Sequence, residues 1–270
     1  MKKLSLIISL ASALIFSPLL QAKEYTFGIV PQQSAKKLAR LWGPFMAKLS
    51  EKSGVTLKFA TAKNIPTFEK RLANGAYDFA YMNPYHFTVF NDSPGYKAIA
   101  HQANKSIQGI LVVHKDSNLK SLENLNGSAL AFPSPAAFAA SLLPQAKLNN
   151  SNIAFEPRYV SSHDSVYLAV SRGLMPAGGG VMRTFNNTTP EVRDNLKIFW
   201  KTEKYTPHAF AAHPDVLEED RIALQKALVD LKNSKEGAEL LSSIRFEGIE
   251  AANNSDWDDV RALNITALAN

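Results

Sequence analysis

The sequence predicts an α/β fold of two lobes, one inserted into the other, joined by two crossovers of the chain. Three observations carry that prediction. Short β-type runs alternate with helical stretches from residue 25 onward. The alternation restarts near residue 128. After a strand that turns back toward the first lobe, two long helical stretches follow.

The elements follow in order. Tyr25-Thr26-Phe27-Gly28-Ile29-Val30 reads as a strand ended by Pro31. From Ser34 to Lys52, apolar residues at Leu38, Leu41, Trp42, Phe45, Met46 and Leu49 keep helical spacing until Gly54. Residues 55–60 form a second strand, 65–72 a short helix closed by Asn74-Gly75, and 77–82 a third strand. Asn83-Pro84 opens another helix, and 96–101 and 109–114 are two further strands. In the second series, 128–132 and 158–160 are strands, while 135–148 and 163–172 are helices. Gly178-Gly179-Gly180 breaks the pattern, and 196–200 is the returning strand. Helices over 218–232 and 235–244 follow, and the tail with Trp257 and Asp258-Asp259 suits a final helix. Such alternation argues for parallel sheets covered on both faces. It divides the chain into a first lobe of 23–103 plus 205–270 and a second of 104–204. Crossovers fall near 103–105 and 202–204, side by side as in a hinge.

The first residues read as an export signal. Met1-Lys2-Lys3 precedes an apolar run from Leu4 to Phe16, then Pro18 and Leu20-Gln21-Ala22. That run falls short of the roughly 20 residues that span a bilayer, so cleavage near Ala22 is expected. Loss of Lys2 and Lys3 then takes the formal charge from +6 to +4. With no cysteine in the chain, disulfides, thiolate metal sites, cysteine nucleophiles and a lipid anchor on cysteine are excluded. These features place the mature chain free in the periplasm, as a monomer. Basic residues are scattered, which argues against a nucleic-acid partner. The histidines lack metal-ligand spacing, so neither metal nor other cofactor is expected.

Three strand-to-helix turns are candidates for a site, because ligands of α/β sheets bind beyond the carboxyl ends of strands. In Tyr81-Met82-Asn83-Pro84-Tyr85, Asn83 is suited to cap and Pro84 to start a helix. In Ser134-Pro135-Ala136-Ala137, Ser134 takes the cap position. In Ser161-Ser162-His163-Asp164, Ser162 does. Helix N-termini attract anions through free N–H groups and the helix dipole, although every helix needs a cap whether or not it binds anything. His163 reads either as a donor to an oxyanion or as an exposed histidine at a helix start. Arg183, after the triple glycine, reads either as an anion clamp on a loop or as a surface arginine. Tyr81 and Tyr85 read as cleft-mouth or core aromatics. No nucleophile elbow, P-loop or dinucleotide fingerprint is present, and Ser162-His163-Asp164 is too contiguous to act as a triad. An enzymatic role is therefore not expected.

At these turns the sequence resembles the PhnD-like phosphonate-binding family of periplasmic solute-binding proteins. The telling stretches are residues 75–84, Ser162-His163-Asp164-Ser165 with Leu168-Ala169-Val170, and Gly180-Val181-Met182-Arg183-Thr184. The resemblance implies the type 2 periplasmic-binding fold and capture of a small anionic ligand for an ABC permease, or in some relatives sensing for a histidine kinase of the inner membrane. It assigns oxyanion contact to His163, and the first-lobe cleft wall to Tyr81 and Asn83-Pro84. Two departures stand out. Ser134-Pro135-Ala136-Ala137 replaces a Ser-Thr-Ser-Gly-like loop, and Pro176 stands where many relatives have an aspartate. The first removes hydroxyl donors and the second an amine-recognising carboxylate.

Overall fold

The computed structural model describes residues 23–268. The export signal read over residues 1–22 lies outside them. Two mixed sheets form the frame. The first has strands β1 (Glu24–Ile29), β2 (Thr56–Ala60), β3 (Phe79–Met82) and β4 (Lys97–Gln102). The second has β5 (Ile107–His114), β6 (Ser128–Phe132), β7 (Phe155–Tyr159), β8 (Ala177–Val181) and β9 (Leu196–Tyr205). The chain then returns to the first sheet as β10 (Ala209–Ala212) and β11 (Ile249–Ala251). Strand orders are β11-β4-β10-β3-β1-β2 and β7-β6-β8-β5-β9.

The expectation of parallel sheets holds only in part. β1 runs parallel to β2 and β3, and β6 parallel to β7 and β8. The strands next to the crossovers are antiparallel: β5 to β8 and β9, and β10 to β3 and β4. A chain that leaves one sheet and comes back enters each sheet against its direction. Ile107 pairs with Tyr205, so the two crossing segments lie side by side. Residues 202–204 are part of β9. β10 and β11 escaped the sequence pattern because they are only four and three residues long.

Helices fill the faces as their spacing predicted. The helix Ala35–Ser53 starts at Ser34, whose side chain accepts from Lys37 N, and stops at left-handed Gly54. It buries Leu38, Trp42, Phe45, Met46 and Leu49. The tail covers the same lobe: Trp257 Nε1 donates to Pro207 O at 2.8 Å, and its ring lies 4.5 Å from Phe87. Among the described residues no helix is long and apolar enough to cross a membrane.

The triple glycine does not interrupt the pattern. It is the middle of β8, wholly buried between β5 and β6. A Cβ on Gly178 would overlap Val166, on Gly179 the carbonyl oxygen of Ala140, and on Gly180 the Tyr167 hydroxyl. The glycines let two helical segments approach the sheet more closely than any side chain allows. One of these, Phe138–Leu142, is a wide π-type turn that runs into the helix Leu143–Asn150. Pro144 has no N–H to return to the Ala140 carbonyl, which fits a widened turn there.

Because the obstacle at Gly179 is backbone, it cannot rotate away. Gly179→Ala should cost about 2–3 kcal/mol, or roughly 5–10 °C in melting temperature for a domain of this size. Differential scanning calorimetry that found no change would mean the helical segment slides off the sheet without penalty.

Candidate functional site

The lobes meet at the carboxyl ends of their parallel strands, where all three candidate turns lie. Asn83 caps the helix Pro84–Asp92 by accepting from His86 N at 2.7 Å. Its Nδ2 donates across the cleft to Ala136 O at 3.2 Å. Tyr81 is core and cleft wall at once. Its ring lies 4.9 Å from Trp42 and 4.8 Å from Phe210, and stacks on His208 at 5.0 Å. Tyr85 does not reach the cleft mouth. It is buried, and its hydroxyl accepts from Leu268 N at 2.8 Å, tying down the tail.

The second turn differs from expectation. Ser134 is no cap and Pro135 starts no helix. The helical turn begins at Phe138, behind Ala137, with no side-chain cap. Ser134 Oγ is buried without a hydrogen-bond partner. Ala136 contributes its carbonyl to Asn83, and Ala137 lines the inner cavity. At the third turn, Ser162 Oγ accepts from Ser165 N at 3.1 Å and caps the helix His163–Ser171 as expected.

His163 is not an exposed histidine; only 1% of it reaches solvent. Its backbone N donates to Gln32 O of the other lobe at 3.1 Å, and Nδ1 pairs with Thr184 Oγ1 at 3.1 Å. Burial first, and the Arg183 charge second, lower its pKa to about 3. It is therefore neutral and offers the cleft a hydrogen bond rather than a charge. His208 is likewise held well below its usual range by burial and then by Arg183.

Arg183 sits not on a flexible loop but in the short helix Met182–Asn186, directly after β8. The guanidinium lies 5.8 Å over the Tyr81 ring and donates to Gln32 Oε1. Gln32 Nε2 in turn pairs with His208 Nε2 at 3.0 Å. Of this Gln32–Arg183–His208 cluster, only Arg183 is an expectation from the sequence. Gln32 follows β1 at a carboxyl end, which is a usable signal. His208 precedes a strand too short to announce itself. Gln33, next in the chain, is buried with both amide atoms unpartnered.

Two neighbouring spaces result. An inner cavity of about 10 Å³, room for one water-sized group, is bounded by Gln32, Asn83, Ala137, Phe138, His163 and His208. An outer cleft of about 300 Å³ adjoins the crossovers and is walled by Tyr81, Gln102, Lys105, Arg183, Lys204 and His208. Ile107, Val181 and His208 are common to both. Neither lining contains a carboxylate. Further out, Lys37 Nζ donates to Asn187 O at 2.6 Å and Arg245 Nε to Asn187 Oδ1 at 3.1 Å, two more bonds between the lobes.

This architecture recurs in solved structures. The binding-protein component of an ABC phosphonate transporter from Pseudomonas aeruginosa superposes with a TM-score of 0.83 at 18% identity, over 90% of this chain and 86% of that one. PhnD1 from Prochlorococcus marinus, solved in complex with methylphosphonate, gives 0.80 at 21% identity, over 90% and 99%. A Xanthomonas citri protein bound to chloride gives 0.67 at 15% identity, over 89% and 99%. These likenesses establish the type 2 periplasmic-binding fold. The family model described as ABC transporter, phosphonate, periplasmic substrate-binding protein matches residues 27–257. With most of its length so matched, the chain belongs to the phosphonate ABC-transporter family of periplasmic substrate-binding proteins.

Proposed function

We propose that this chain captures a small phosphorus oxyanion between its lobes in the periplasm and delivers it to the permease of an ABC importer. In this reading the export signal is removed near Ala22. Residues 23–103 with 205–270 then close against 104–204 as a monomeric clamshell. The observation that carries it is Arg183, a half-buried guanidinium at the junction of the lobes, facing a cleft without carboxylates. Its only hydrogen-bond acceptor among the described residues is the uncharged Gln32 amide. Such a guanidinium is matched to an oxyanion by its fork of donors.

The remaining site residues take roles that follow from their bonds. Asn83 bridges the cleft to the Ala136 carbonyl and the His163 backbone bridges it to the Gln32 carbonyl, while the neutral His163 ring lines the inner cavity. Tyr81 supports the guanidinium from below. Ala136 and Ala137 shape the wall where hydroxyl-bearing residues stand in many relatives. Gln32 acts as a placeholder, giving Arg183 an acceptor that an incoming oxyanion replaces with a charged one. The family points to import rather than sensing.

His163 also links stability to pH. Its folded pKa lies near 3, below the ordinary 6.5, so the unfolded chain binds the proton more readily. This stability is intact above about pH 6.5 and is lost as pH falls from there toward about 3.

Two outcomes are expected. Arg183→Ala should weaken binding of methylphosphonate or phosphate by about a hundredfold, since two charge-assisted hydrogen bonds are lost. Its ligand-free melting temperature should move by only a few degrees. Calorimetric titration and thermal shift measure both, and a complete screen of phosphorus oxyanions without any shift would sink the reading. Second, denaturant titrations between pH 7 and 4 should show falling stability in the parent protein. The slope should be shallower in His163→Gln, which does not ionise. Identical slopes would show that His163 does not hold the linkage.

A further inference from the structure

The lobes also meet in a groove that shares no lining residue with the inner cavity or the outer cleft. We infer, resting on the clamshell closure proposed above, that this groove is a second anion site, completed when the lobes close. It takes a small, multiply charged oxyanion of the polyphosphate kind, held from both lobes, and that anion in turn favours the closed form.

The groove has a volume of about 620 Å³, within the range of small-molecule sites. The first lobe supplies one wall. Lys37 and Arg40 lie one turn apart on the helix Ala35–Ser53, and Glu239 and Arg245 lie in and just past the helix Lys235–Ser243. The second lobe supplies the other, with residues 186–190 and Arg193.

The first support is charge. Four cationic side chains line the groove against one carboxylate, Glu239. Two of the four are matched: Lys37 has Asp164 at 3.8 Å and Arg193 has Asp194 at 3.2 Å. Arg40 and Arg245 form no ion pair among the described residues. Two guanidinium forks are thereby left on one wall, each shaped for bidentate contact with an oxyanion. Exposed cations alone attract anions weakly, because solvent and salt screen them. Two further observations turn these into a site.

One is Asn187, which organises the groove from the second lobe. Its carbonyl accepts from Lys37 Nζ at 2.6 Å, and its Oδ1 accepts from Arg245 Nε at 3.1 Å. A single residue of one lobe therefore fixes two cations of the other, and they are fixed only while the lobes are together. Closure also brings Arg193 to the same groove as the three cations of the first lobe. An anion between the walls turns that like-charge approach into attraction.

The other is the backbone of Arg245, which is left-handed with φ of 64°. Phe246 N donates to Leu241 O at 2.8 Å and Arg245 N to Ser242 O at 2.9 Å, a helix ending whose left-handed position glycine usually takes. Glycine would adopt this conformation freely, whereas a residue with a Cβ is strained there. The backbone bonds already satisfy these last carbonyls, so the helix end does not need the guanidinium. Strain retained without a local reason collects at ligand sites.

The test titrates tripolyphosphate into the mature protein, residues 23–270, with the cleft empty and with it saturated by methylphosphonate. With the cleft filled, tripolyphosphate should bind at least about fivefold more tightly, and by linkage it should tighten methylphosphonate by the same factor. Arg40→Gln should weaken tripolyphosphate at least about fivefold and leave the affinity for methylphosphonate alone unchanged. Lys52→Gln, which removes an exposed charge from the last turn of the same helix outside the groove, should change neither. Arg245→Gly should weaken tripolyphosphate at least as much as Arg40→Gln, while the ligand-free melting temperature stays within a few degrees. Equal losses in Arg40→Gln and Lys52→Gln would reveal diffuse attraction and overturn the inference. Weakening of methylphosphonate by tripolyphosphate would put the probe in the cleft and overturn it too. Should methylphosphonate not bind at all, the oxyanion reading falls, and the comparison of Arg40→Gln with Lys52→Gln still decides the groove.

Discussion

A side chain at any of three positions in β8 would hold the covering segments away from the second sheet. That constraint organises the cleft. With Gly178, Gly179 and Gly180 bare, the helix His163–Ser171 and the turn Phe138–Leu142 lie directly on the strand. Their approach brings His163, Ala137 and the start of the Arg183 helix to one edge. Gly109 on the neighbouring β5 has the same role, because a Cβ there would overlap the Ala139 carbonyl oxygen. The glycines cost conformational entropy in the unfolded chain, and what they allow is a tightly closed wall.

Closure then rests on a few polar bonds that bridge the lobes. Gln32 is central: its carbonyl receives the His163 N–H and its side chain joins Arg183 to His208. Asn83 reaches Ala136, and Lys37 and Arg245 both reach Asn187. Exchanging any one of these bonds for water has a modest net cost. Two imidazoles at this junction stay neutral because a charged imidazole there would be desolvated beside a guanidinium. The result is a wall in which two buried imidazoles stay neutral beside Arg183, with Lys105 and Lys204 at its exposed side.

The helix Ala35–Ser53, the Asn83 and Ser162 caps and the restart at Ser128 were legible because each depends on local chemistry: periodic apolar residues, a capping oxygen, a stop at Gly54. Ser134 misled because Ser-Pro before an apolar run has the look of a cap. Pro144 and the approach to Gly179 instead move the helix start to Phe138. Tyr85 misled because its partner is the tail backbone at Leu268, 183 residues away in the chain. The triple glycine misled most, since glycine runs signal loops unless a close approach from both faces requires them.

By itself, the sequence determined most of the strands and helices and the α/β order of the chain. Periodicity, caps and breakers act over a few residues, so they survive translation into a linear string. Only the tertiary structure decided what those residues do. It made His163 a buried neutral imidazole, and it placed Arg183 in a short helix with Gln32 as its acceptor. It also brought in His208 from the returning strand. Burial, desolvation and pairing across the cleft arise between segments far apart in the chain, and no local pattern encodes them.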